Sequence, residues 1–149
     1  MTATLQDVEL FVEQHPDICY AGRPASVQLI DKAEQFLKLE FPNDYRAFLQ
    51  RWGTLAIGPL EFYGLCDEDF ENSSVPDAIW YTNQERKRLG LPNELVILYD
   101  NNGVEYYCLD TSHLPESRVV VWDIRSRAVR AVKSNSLFDF ILEESADSV

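Results

Sequence analysis

Residues 41–53 read Phe-Pro-Asn-Asp-Tyr-Arg-Ala-Phe-Leu-Gln-Arg-Trp-Gly. Tyr45, Phe48, Leu49 and Trp52 fall at i, i+3, i+4 and i+7, which places four large apolar side chains on one helical face. Pro42 suits the first turn, where a missing N–H is harmless, and Gly53 supplies the stop. A stripe of this kind has to be buried, so the flanking sequence must supply the surface that covers it.

Toward the N-terminus, Ser26 can cap a helix carrying Ile30, Ala33, Phe36 and Leu37, with Glu34 and Lys38 as an i,i+4 pair on its outer side. Residues 17–24 read as a loop around Gly22, Arg23 and Pro24, and Leu5, Val8, Phe11 and Val12 mark a short helix that stops before Pro16. Toward the C-terminus, residues 55–65 contain Gly58, Pro59 and Gly64 and read as one short strand with a bend. An acidic loop follows over residues 66–75. Pro76 and Asp77 then open a helix that ends in Arg86, Lys87 and Arg88 before Gly90, with charges that complement its dipole.

Residues 95–99 and 104–109 flank Asp100-Asn101-Asn102-Gly103, a composition that favours a hairpin. Residues 118–123 and 127–133 make a second strand pair. Ser136 and Asp139 resemble a capping box ahead of Leu137, Phe140 and Ile141 in a last helix. Helices first and last with hairpins between them predict an α+β domain, its largely antiparallel sheet packed with N-terminal helices and a C-terminal helix.

Composition bounds the rest. The 149 residues hold 13 Lys and Arg against 25 Asp and Glu, a net charge of -12. That length predicts a single domain over 1–149. So acidic a chain is repelled by phosphate backbones and anionic bilayers, so neither nucleic acid nor membrane is expected as a partner; a basic protein would be drawn toward it. The first ten residues carry no Lys or Arg, and no apolar run approaches the roughly 18 residues of a spanning helix; neither signal peptide nor membrane anchor is expected. Cys19, Cys66 and Cys108 are widely spaced, odd in number and free of any C-x-x-C, which predicts buried or half-buried free thiols in a reducing cytoplasm.

The usual signatures of chemistry are missing. His15 and His113 have no Cys or His at metal-ligand spacing, and the six glycines form neither G-x-G-x-x-G nor a P-loop, so no catalytic residue and no cofactor is assigned. Asp67-Glu68-Asp69-Phe70-Glu71 begins like a calcium loop, but its sixth position is Asn72 rather than Gly and its twelfth is Ala78 rather than Glu, so no metal is expected. One span is unusual. The 34 residues between Arg51 and Arg86 contain no Lys or Arg, yet hold Glu61, Asp67, Glu68, Asp69, Glu71, Asp77 and Glu85, interleaved with Phe62, Tyr63, Phe70, Trp80 and Tyr81. Two readings stand: an acidic surface with aromatic anchors for a basic protein, or core aromatics beneath a solvated loop. On the first, the partner-binding candidates are Glu61, Tyr63, Asp67, Glu68, Asp69, Glu71, Asp77 and Trp80.

Several stretches, taken in order, resemble the SUKH superfamily, a group of small α+β domains that includes many bacterial immunity proteins and a yeast cell-wall regulator. Residues 41–49 resemble its pattern of Pro, acidic, aromatic, basic, then Phe-Leu, and Phe62-Tyr63-Gly64-Leu65 is similar to its strand-ending Gly-Leu. Asp100-Asn101-Asn102-Gly103 followed by Tyr106-Tyr107-Cys108-Leu109-Asp110-Thr111-Ser112 looks like its hairpin and Leu-Asp exit. Val119-Val120-Val121-Trp122-Asp123 and Ser136-Leu137-Phe138-Asp139-Phe140 complete a resemblance running from Val27 to Leu142. Phe41 stands where Leu is commoner, and Trp52-Gly53 where Asn-Gly is more frequent. The resemblance implies a SUKH-like fold and binding without catalysis: a bacterial, cytoplasmic immunity protein that neutralises a polymorphic toxin domain such as a basic nuclease. The alternative it implies is a regulatory scaffold domain of the same fold with a cellular partner. A small hydrolase using scattered carboxylates is a third class, and it lacks any nucleophile, metal or phosphate motif.

Overall fold

Helix α1 (Leu5–Gln14) opens the computed structural model, which describes residues 2–149, all but the first position of the expected domain. Thr4 and Asp7 cap it reciprocally: the Thr4 N–H donates to Asp7 Oδ2 at 2.8 Å and the Asp7 N–H to Thr4 Oγ1 at 3.3 Å. After strand β1 (Cys19–Ala21), Ser26 accepts from the Leu29 N–H and starts α2 (Val27–Leu37). The expected Glu34–Lys38 pair does not form, because Lys38 ends α2 in a left-handed conformation, φ 59°. Glu34 instead accepts from Arg46 and from the Phe41 N–H, both at 2.7 Å, and so ties α2 to α3 (Asn43–Trp52). Pro42 is the N-cap of α3 rather than a first-turn residue.

The strands divide into two antiparallel sheets. Residues 55–65, read as one bent strand, hold two: β2 (Leu55–Ile57) turns at Gly58 and Pro59 into β3 (Leu60–Phe62). The loop expected over 17–24 contains β1, which pairs with β2 through Cys19–Ile57, Tyr20–Ala56 and Ala21–Leu55. After α4 (Ala78–Leu89), the second sheet is a run of hairpins, β4 (Leu95–Asn101), β5 (Glu105–Asp110), β6 (Val119–Asp123) and β7 (Ala128–Ser134), in spatial order 4-5-6-7. The β6–β7 ladder shifts register twice, skipping Arg130 and Lys133. Those two bulged side chains reach Glu105 at 2.7 Å and Glu144 at 3.0 Å.

The interior joins the two sheets. Helix α4 packs on β4, and Phe140 of α5 (Leu137–Ser145) meets Phe62 of β3 and Tyr107 of β5 edge-on, with centroids 5.8 and 5.6 Å away. The α3 stripe of Tyr45, Phe48, Leu49 and Trp52 is buried, chiefly among α1, α2 and α5, and the Tyr45 hydroxyl donates to the Tyr63 carbonyl at 3.1 Å. Gly53 (φ 74°) and Gly64 cross where a Cβ on either would strike a carbonyl oxygen, of Arg23 and of Gly53 respectively. The crossing is sealed by the Leu65 N–H donating to the Gly53 carbonyl at 3.0 Å.

Candidate functional site

The acidic loop is fixed at its base by one carboxylate. Asp77, fully buried, caps α4 by accepting from the N–H groups of Ile79 and Trp80 at 2.9 Å, and takes the Cys66 N–H at 3.3 Å. Burial outweighs these three donors and holds its carboxyl above the ordinary carboxylate range. Backbone bonds close the same knot: Gly64 N–H to the Pro76 carbonyl at 3.1 Å and Ala78 N–H to the Gly64 carbonyl at 2.7 Å. Residues 66–76 are therefore clamped where they leave β3 and where they enter α4.

Between those clamps Asp67, Glu68, Asp69 and Glu71 are exposed, as is Glu61 on β3. Asp67 and Asp69 shape the loop, accepting from the N–H groups of Asp69 at 2.8 Å and Asn72 at 3.2 Å, while Phe70 turns inward against Phe36 of α2 with centroids 5.1 Å apart. The sequence span without bases is not without them in space. Lys32 of α2 lies 3.6 Å from Glu68 and Lys87 of α4 lies 4.0 Å from Glu71, both pairs open to water, and Arg88 forks onto the buried Glu85.

Two of the eight candidates leave the surface. Asp77 is a cap, as described, and Tyr63 is buried, its ring against Tyr81 at 5.9 Å and its hydroxyl pushed to higher pKa chiefly by burial. Neither has surface to offer a partner as the protein is folded. Trp80 is half-buried and stacks on Tyr81, whose hydroxyl donates to Asp100 at 3.0 Å. Glu61, Asp67, Glu68, Asp69 and Glu71 are what remains of an exposed acidic set.

Tyr20 of β1 belongs to no motif in the sequence. Tyr20, Ala56 and Glu61 stand in register across β1, β2 and β3 and border a cleft of about 120 Å³ that Pro76 also lines. Three-residue strands show no alternation, so nothing in the local pattern could have placed Tyr20 beside Glu61.

The three cysteines are free thiols. Cys108 is buried and Cys19 half-buried, but Cys66, expected to be buried or half-buried, is exposed. Partial desolvation of its sulfur, then the Asp77 and Asp67 charges, push its thiol up to about 11. His15 is tied to its own helix, Nδ1 to the Phe11 carbonyl at 2.9 Å. Among the described residues no three His, Cys, Asp or Glu side chains converge as a metal-binding group, and no helix is long and apolar enough to cross a membrane.

The family model described as SMI1-KNR4 cell-wall (SUKH_5) matches residues 8–145. The chain belongs to the SUKH superfamily. A crystal structure of a protein from Pseudomonas syringae pv. tomato is similar to it with a TM-score of 0.64 at 17% identity, over 91% of this chain and 95% of that one, and at that identity the likeness shows the SUKH fold. The crossing explains the SUKH-like Gly-Leu at 64–65 in physical terms: Gly64 lets two backbones touch, and Leu65 is buried beyond it.

Proposed function

We propose that this SUKH domain is an immunity protein that works by binding, its acidic face engaging and neutralising a basic toxin domain in the cytoplasm. The observation that carries this reading is the loop of residues 66–76, whose four exposed carboxylates sit between fixed ends. A clamped loop loses less freedom on binding than a free one, and its charges speed the approach of a basic surface. The two lysine pairs on it are open to water, and pairs of that kind are worth only about 0.2–1 kcal/mol, so a partner's cations displace them readily. Glu61 on β3 adds a fifth exposed carboxylate, and Trp80 in the first turn of α4 a half-buried ring.

Co-expression with a toxic domain encoded beside this chain's gene tests the proposal. The expected result is restored growth and a complex recovered by pull-down, with rescue weakened when Asp67→Asn, Glu68→Gln, Asp69→Asn and Glu71→Gln are combined. Rescue by the amide variant equal to that of the parent would remove the acidic face from the explanation. Absence of both rescue and complex would remove the immunity role itself.

A further inference from the structure

The cleft over the three-stranded sheet has a shape and polarity of its own. Tyr20, Ala56 and Glu61 are cross-strand neighbours on the outer face, while Leu55 and Ile57 of β2 point inward and are buried. Ala56 is the small residue in the row, and the cleft that the row borders extends to Gly22, Thr54 and Pro76. Tyr20 is one of the most exposed large side chains, at 66%, yet its hydroxyl donates to the Asp17 carbonyl at 3.3 Å, which restrains the ring. Glu61 is exposed and makes no ion pair among the described residues, unlike Glu68 and Glu71.

At about 120 Å³ the cleft is well below the roughly 300 Å³ from which small-molecule sites begin, so it suits a single side chain rather than a cofactor. Two strand spacings separate Tyr20 from Glu61, roughly 10 Å. A cation within about 6 Å of a ring centroid and a charge-assisted hydrogen bond of about 2.8 Å to a carboxylate together span such a gap. Arginine fits this better than lysine, because its flat guanidinium stacks on the ring while its fork pairs with the carboxylate. The apolar stem would rest on Ala56 and Pro76.

We propose that this cleft is an arginine-anchor site, in which one arginine side chain of a basic protein partner lies between the Tyr20 ring and the Glu61 carboxylate. The proposal deepens the binding function given above and rests on it for the nature of the partner, but its test does not need that partner. The probe is N-acetyl-arginine methylamide, titrated into ¹⁵N-labelled protein, with N-acetyl-norleucine methylamide as the uncharged comparison. The expected result is saturable amide shifts at Tyr20, Ala56 and Glu61 with the arginine probe and not with the norleucine probe. Glu61→Gln should weaken binding about two- to fivefold, as loss of an exposed ion pair does. Tyr20→Ala should weaken it by about as much, through loss of the cation–π contact. The four-amide loop variant should leave these shifts unchanged. Ala56→Leu should fill the cleft and abolish them, and if that change disturbs the strand, Glu61→Gln alone decides.

Shifts that map to residues 67–71 instead, shifts equal for norleucine, no saturable shift, or indifference to both Glu61→Gln and Tyr20→Ala would each overturn the anchor. Failure of the growth assay with these shifts intact would overturn the toxin reading and leave the cleft standing. Loss of the shifts with growth rescue intact would do the reverse.

Discussion

The four-stranded sheet and the three-stranded sheet are stabilised by different means. In the first, β4, β5 and β6 bury most of their side chains, each strand follows its neighbour through a hairpin, and Trp122 stacks on Tyr106 in the interior. In the second, each strand has three residues, β1 finds its partner only after α2 and α3 have intervened, and the structure depends on single contacts: the Gly53–Gly64 crossing, the Tyr45 hydroxyl, the Asp77 cap. The first is held by buried area along long strands; the second buries Leu55, Ile57 and Phe62 as well, and adds a few specific contacts to backbone that its short ladders do not supply. The exposed acids and the cleft belong to the second, so the surface proposed to engage a partner is carried by the sheet with the shortest strands.

The largest effect that would test this contrast is in the first region. Trp122→Ala should cost about 3–5 kcal/mol, seen as a lower denaturant midpoint for the whole molecule. A loss below about 1 kcal/mol would show that the hairpin sheet is not held by area. Gly64→Ala in the second region should cost about 1–3 kcal/mol, because the new methyl would overlap the Gly53 carbonyl, which is backbone and cannot swing aside, and amide exchange should rise around residues 53 and 64–66 before the hairpins open.

Asp77→Ala should cost about 1–3 kcal/mol, freeing the N–H groups of Ile79, Trp80 and Cys66 together. Asp77→Asn keeps an oxygen acceptor and should recover most of that loss. The pH dependence has a definite sign. The folded carboxyl holds its proton more tightly than the unfolded one, so the wild type's stability falls as pH rises from the ordinary aspartate range through the raised folded value. Melting curves should therefore place Asp77→Asn in a better position relative to wild type at pH 7 than at pH 4.

Smaller still, the four-amide loop variant should change stability by no more than about 0.5 kcal/mol while slowing association with a basic partner and flattening its salt dependence. Trp80→Ala should instead speed dissociation if the ring touches the partner, by on the order of 2 kcal/mol; a fall in melting temperature with unchanged dissociation would assign the ring to packing on Tyr81. Last, Cys66 should react with an aromatic disulfide at pH 8 about tenfold more slowly than an unperturbed thiol. A thiol pushed up to about 11 holds less thiolate, and higher nucleophilicity returns only part of the rate. In unfolded protein all three thiols should react alike.

The same contrast governs what could be read in the residues. The helices and hairpins were legible because their signals are local: the 45-48-49-52 stripe, Ser26, Asp77 with Gly90, and the Asp100–Gly103 turn all act within a few positions. Strand β1 was not, since three residues pairing with a distant strand carry no period, and Glu34 was assigned the wrong partner because Arg46 reaches it only through the fold. The acidic span was visible as composition, but burial of Asp77 and Tyr63, and the lysines that approach from α2 and α4, are facts of three dimensions. The Tyr20–Ala56–Glu61 row was out of reach for the same reason as β1.

The bulges at Arg130 and Lys133 bear on a different matter, the fate of this chain at high concentration. Strand β7 ends its sheet with Val129 and Val132 exposed, an open template onto which another strand could add. The two bulges interrupt the flat ladder that such growth requires, and they place Arg130 and Lys133 along this edge. An edge broken in this way is a poor template for a further strand, which disfavours the joining of copies strand to strand.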